Sequence, residues 1–178
     1  VEKLPQIDER GCSNIHGFYI VGDLTGIPLL KFAADSGTRA VQHMVADGDF
    51  QNLRQQGGDG AILDVAIIGA GVSGMAAALA ARKAGLSFDI LEATEPFSTV
   101  VNFPRGKPIY TYPSAMVPAG ALQFSTEVKE ALVEELKSQT LEQGIEPRLV
   151  RVEDGVTTTL NLPESAEVDD MVWTVDGC

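Results

Sequence analysis

The chain has 178 residues, 44% of them hydrophobic and 21% charged, with 18 Gly and 9 Pro. This is the composition of a soluble globular protein, which excludes a disordered chain and a disulfide scaffold, and the length suits about one domain with a real core. The balance of 13 basic against 25 acidic residues gives −12, a charge that repels phosphate backbones and anionic membrane surfaces and sets nucleic-acid binding aside.

In chain order, the opening residues Val1 to Arg10 hold no apolar stretch like a signal peptide. Phe18-Tyr19-Ile20-Val21, stopped by Gly22-Asp23, reads as a short strand buried on both faces. A helix is expected next. Thr25 or Gly26 would cap it, Pro28 suits its first turn, and Leu29, Ala33, Ala40, Val41, Met44 and Val45 recur at helical spacing until Gly48. Gln55-Gln56-Gly57-Gly58-Asp59-Gly60 has the Gly and polar content of a linker. It divides the chain into blocks 1–54 and 61–178.

The second block opens on Leu63 to Ile68, an apolar run leading into Gly69-Ala70-Gly71-Val72-Ser73-Gly74 and then an Ala-rich segment ending at Lys83-Ala84-Gly85. This is strand, tight glycine turn, helix and C-terminal glycine. The small-apolar run Ile67 to Ala81 is too short and too rich in glycine to cross a bilayer. Phe88 to Leu91 reads as the next strand, with Glu92 just past its end, which completes a βαβ unit of the ~30-residue size expected of a dinucleotide fingerprint. From Ala93 to Phe124 five prolines interrupt any periodicity, and a connection this long is usually functional or mobile. An amphipathic helix is expected from Ser125 to about Gln143. Beyond it Arg148 to Val152, Thr157 to Leu162 and Val172 to Val175 read as a small β-meander.

The strongest chemical signal is the glycine pattern. Gly69 permits the sharp turn, Gly71 lets backbone approach a pyrophosphate, and Gly74 allows tight packing of helix on strand. Phosphates would then meet free N–H groups and the positive end of the helix dipole, with Ser73 at the helix start among the candidate contacts. Glu92 stands where a carboxylate accepts hydrogen bonds from an adenosine ribose, and its charge disfavours a 2′-phosphate. NAD and FAD both stay open on these residues. The competing reading, a glycine turn in an unliganded α/β domain, leaves Glu92 unexplained.

The segment Gly17 to Gly26, with Gly22-Asp23 at its centre, resembles the "GD" signature of the thioredoxin reductase-like, pyridine nucleotide-disulfide oxidoreductase superfamily. The resemblance implies that Asp23 hydrogen-bonds the ribityl chain of FAD, with Gly22 beside it, and that the following helix points its N-terminus at the flavin. Taken alone, Asp23 also fits a helix cap. The stretch Asn102 to Tyr110, which opens on Asn102-Phe103-Pro104, is similar to the "NFP" loop that lies along the flavin in the same proteins, which makes Asn102 a candidate flavin contact; the alternative is a solvated proline-rich loop with Arg105 and Lys107 solvated. The implied fold is a three-layer, Rossmann-like α/β FAD-binding domain with a mainly parallel sheet. The implied activity passes electrons from NAD(P)H, bound outside these residues, to an unknown acceptor.

Here the GD segment precedes the glycine fingerprint, whereas it comes last in that superfamily. A circular permutation or a cut from a longer protein accounts for the order, and the absent initial Met points to an excised piece. The sequence holds no second Gly-x-Gly-x-x-Gly for NAD(P)H and no Cys-x-x-Cys for dithiol exchange; its cysteines are Cys12 and Cys178. His16 and His43 have no ligand cluster around them, so no metal site is expected. The alternatives to a flavoprotein are an NAD-binding dehydrogenase domain and a non-catalytic nucleotide-binding module. The thin use of cysteine suits the cytoplasm, and an open sheet edge would suit a homodimer.

Overall fold

A computed structural model gives the fold, and it describes residues 4–56 and 62–150. A 3-10 turn at Gly22–Thr25 leads to helices α1 (Leu30–Ala46) and α2 (Gly48–Gln56). Strand β1 (Val65–Ile68), helix α3 (Val72–Lys83) and strand β2 (Phe88–Glu92) follow as one βαβ unit. The single turn α4 (Ser98–Val101), helix α5 (Lys129–Gln139), a 3-10 turn Leu141–Gln143 and strand β3 (Arg148–Leu149) complete the order. The strands form one parallel sheet, β1-β2-β3, with Val65 beside Phe88 and Leu91 beside Arg148. This is a mixed α/β architecture consistent with the Rossmann-like class.

Helix α3 contacts β1, β2 and α1. Its alanines explain why: Met75, Ala76, Ala78 and Ala81 are all buried, and a helix apolar on every side belongs between two layers. Small side chains also permit close approach. At Gly37 of α1 an added Cβ would stand 2.1 Å from the backbone oxygen of Ser73 on α3. A glycine in mid-helix costs about 1 kcal/mol against alanine, and here the close crossing of the two helices offsets it. Phe97, Leu122, Leu132, Leu136 and Ile145 extend the core towards α5.

The alternation expected of a strand is visible in β1, where Ile67 is 7% exposed and Ile68 is 60% exposed. Ile67 lies under α3, its Cγ2 3.3 Å from where a Gly74 Cβ would stand. The opposite face, with Ala66 and Ile68, is exposed among the described residues.

Several expectations need correction. Phe18 to Val21 is not a sheet strand. Its backbone is satisfied locally, by an isolated bridge between Cys12 and Tyr19 and by the bonds Ser13 N–H to Phe18 O (2.9 Å) and Ile20 N–H to Gly11 O (2.8 Å). The first helix begins at Leu30 without a side-chain cap, because Gly26 takes a left-handed φ of 88° that ends the preceding 3-10 turn and Leu29 is extended. Gln55 and Gln56 belong to α2 and not to a linker, while residues 57–60 lie outside the described residues. Glu92 is the last residue of β2 rather than the residue after it. The helix expected from Ser125 starts at Lys129. Of the expected meander, Arg148–Leu149 is present and pairs parallel with β2; Thr157 to Leu162 and Val172 to Val175 lie outside the described residues.

The proline-interrupted stretch after β2 is fastened to α1 rather than free. Lys31 Nζ donates to the carbonyls of Pro113 (2.9 Å) and Ser114 (3.2 Å), and the Ala119 N–H donates to Asp35 Oδ1 (2.8 Å). Gly120 lies against Thr38, where an added Cβ would stand 2.5 Å from Oγ1. Lys31, Asp35 and Thr38 are spaced along one face of the helix.

Candidate functional site

The turn between β1 and α3 shows why each glycine is there. Gly69 has a φ of +92°, a region that a side chain rarely enters, and its N–H donates to Leu91 O at 2.7 Å, tying the turn to β2. An added Cβ at Gly74 would stand 2.0 Å from the Gly69 oxygen, so helix and turn could not pack with anything larger. Gly71 is different: it has an ordinary φ of −74°, is exposed, and a Cβ there would meet nothing within 4 Å. It is the N-cap of α3 and no side chain caps the helix. The first amides of α3 are thus left without a side-chain cap, with the positive end of the helix dipole behind them.

Glu92 closes the turn from the next strand. Its carboxylate accepts from the Ala70 N–H at 2.7 Å, the Thr94 N–H at 2.9 Å and the Thr94 hydroxyl at 3.1 Å. At 9% exposure it is a buried acid, and three donors are what make such burial tolerable. A carboxylate offers about four acceptor positions, which leaves room for a further hydroxyl donor. Thr94 carries no fingerprint that marks it in the sequence as part of the site. Its signal is local, a hydroxyl and an amide two residues after an acid.

The GD segment meets this turn in space. An added Cβ at Gly22 would stand 2.5 Å from Ser73 Oγ, and Gly22 has a φ of +74°, so both space and conformation demand glycine. The Gly22 N–H donates to Ser36 Oγ on α1 at 3.0 Å, which holds the segment where α1 crosses α3. Asp23 follows within the same 3-10 turn, its backbone oxygen accepting from the Gly26 N–H at 2.9 Å. Desolvation raises the Asp23 carboxyl above its ordinary value of 3.8. No hydrogen bond to that carboxylate is found among the described residues. The expected cap role is not seen either, because α1 starts at Leu30 with Leu29 as its N-cap.

Asn102 is the C-cap of α4, with its N–H donating to Ser98 O at 2.9 Å, and it is exposed. Helix α4 is attached to the glycine turn through the Phe97 N–H, which donates to Ala70 O at 2.9 Å. Phe97 is almost wholly buried and holds a left-handed φ of 60° there. Among the described residues no hydrogen bond joins Asn102 to Glu92, Asp23 or the glycines. The geometry thus gathers Gly69, Gly71, Ser73, Gly74, Glu92 and Gly22 around one helix start, with Asp23 adjoining, and leaves Asn102 one short helix away.

Residues 64–106 match a family model described as FAD binding domain. The match runs from the residue before β1 through the glycine turn, α3, β2 and α4, and it supports an FAD-binding domain of the flavin-dependent oxidoreductase kind. No curated protein and no solved structure matches the chain. Among the described residues no helix is long and apolar enough to cross a membrane, and no group of three or more His, Cys, Asp or Glu side chains could hold a metal ion.

Proposed function

We propose that the chain binds FAD and serves a thioredoxin reductase-like oxidoreductase, in which NAD(P)H reduces the flavin and electrons pass on to an acceptor. The single observation that carries this reading is the contact of Gly22 with Ser73, which makes the GD segment and the glycine turn neighbours although they lie in separate halves of the sequence. An NAD-binding domain needs the turn and Glu92 but has no use for that neighbour.

When bound, the flavin supplies the hydride and electron chemistry. The chain supplies position and charge. In this reading Gly69, Gly71, Ser73 and Gly74 hold the pyrophosphate at the start of α3, where amides and dipole favour an anion. Glu92 takes a ribose hydroxyl on its remaining acceptor position, Asp23 accepts from the ribityl hydroxyls, and Asn102 stands at the ring. A strand-end carboxylate and a desolvated aspartate both suit a polyol, because each gains hydrogen-bond donors on binding.

The test is chemical. Purified protein, loaded with a mixture of FAD and NAD, washed and then denatured, should release FAD as judged by mass. Release of NAD in place of FAD, or of no nucleotide, would overturn the proposal.

A further inference from the structure

A cavity of about 490 Å³ lies between the 108–114 segment and the residues leading into α5, away from the glycine turn. It is lined by Pro108, Ile109 and Val128, by Tyr110 and Tyr112, and by Glu127, with the hydroxyl residues Thr111 and Ser114 among them. We propose that it binds an organic ammonium ion carrying a small apolar body. Three observations agree on that ligand class.

The volume is that of a small-molecule site, and the aliphatic walls suit an apolar body. Tyr110 and Tyr112 are stacked with ring centroids 6.2 Å apart and planes 23° from parallel, yet remain 71% and 60% exposed. Two stacked rings offer a negative π face to a cation. Among the described lining residues Glu127 bears the only formal charge; it is exposed, and among the described residues it has no ion pair.

Of the two lysines beside the cavity, Lys107 has a partner elsewhere: its Nζ stands 3.6 Å from the centroid of the Phe103 ring. The Ile109 N–H donates to the Glu127 carbonyl at 2.8 Å and the Lys129 N–H to the Lys107 carbonyl at 3.0 Å, so the two walls are fixed to each other before any ligand arrives. The net charge of −12 draws cations towards the surface in general.

The site shares no lining residue with the glycine turn, Glu92, Asp23 or Asn102, and its test uses no nucleotide, so failure there and failure of FAD binding are read separately. Benzylammonium, benzyl alcohol and benzoate are titrated by ligand-observed saturation-transfer NMR against the wild-type chain and against Glu127→Gln and Tyr112→Leu. Benzylammonium should bind best, and each substitution should weaken it about two- to fivefold while leaving benzyl alcohol unchanged for Glu127→Gln. In the wild type, added salt should weaken benzylammonium alone, a readout that needs no variant to fold. Equal binding of benzoate, unchanged affinity in Glu127→Gln, no salt dependence, or no binding of benzylammonium would overturn the proposal.

Discussion

A methyl group added at Gly37 would sit 2.1 Å from the Ser73 backbone oxygen, and one at Gly74 would sit 2.0 Å from the Gly69 oxygen. Backbone cannot retreat as a flexible side chain can. Gly37→Ala and Gly74→Ala should each lose about 1–3 kcal/mol, read as lower urea midpoints, although helix propensity alone favours alanine at both. Gly48→Ala is the control, since its Cβ would meet nothing within 4 Å; its midpoint should hold or rise. Asp23 makes a different prediction. Burial raises its carboxyl above 3.8, so the protonated form favours the fold: the contribution is complete below the unfolded value and is lost as pH rises through the folded one. Asp23→Asn should therefore be at least as stable as wild type at pH 7, with the difference closing in acid, as thermal melts across that range would show. If the same variant also retains FAD less well, binding and folding are separated at one side chain. Glycines of the fingerprint were legible because spacing announces them. Gly37 was not, since its reason is a partner on another helix.

Between elements, the segment 113–120 owes its course to α1. Lys31 is 7% exposed and spends its ammonium on two carbonyls of that segment. Lys31→Ala would strand the carbonyls of Pro113 and Ser114 and should cost about 1–3 kcal/mol. Limited proteolysis should then cut near residue 114 faster than in wild type, and equal rates would show that other contacts hold the segment. Asp35 and Arg39 form an ion pair at 2.6 Å on the same helix, with Asp35 also accepting from Ala119, so one carboxylate serves both helix and segment. Periodicity and glycine punctuation made β1, α3, β2 and α5 legible, because those signals are local. The same reasoning misread Phe18 to Val21: an apolar, β-prone run implies extended backbone but does not say which backbone it pairs with, and here the preceding turn supplies the partner.

For the whole molecule, ligand and charge decide what can be tested. Saturating FAD should raise the melting temperature by several degrees, since about a hundredfold excess over Kd adds about 2.7 kcal/mol to a fold that does not bind it when unfolded. NAD at the same concentration should raise it less. The mixed α/β class followed from the order of local signals, but the meeting of the GD segment with the glycine turn depends on the α1–α3 crossing, which no sequence spacing encodes.

The bond from the Ala70 amide to the Glu92 carboxylate also has a consequence for association. A loop already clasped by its own acid sacrifices little disorder when a guest arrives, so capture should be fast and the pocket stiff beforehand. Deuterium uptake at the Ala70 amide should be slow in the free protein and change little once nucleotide is added.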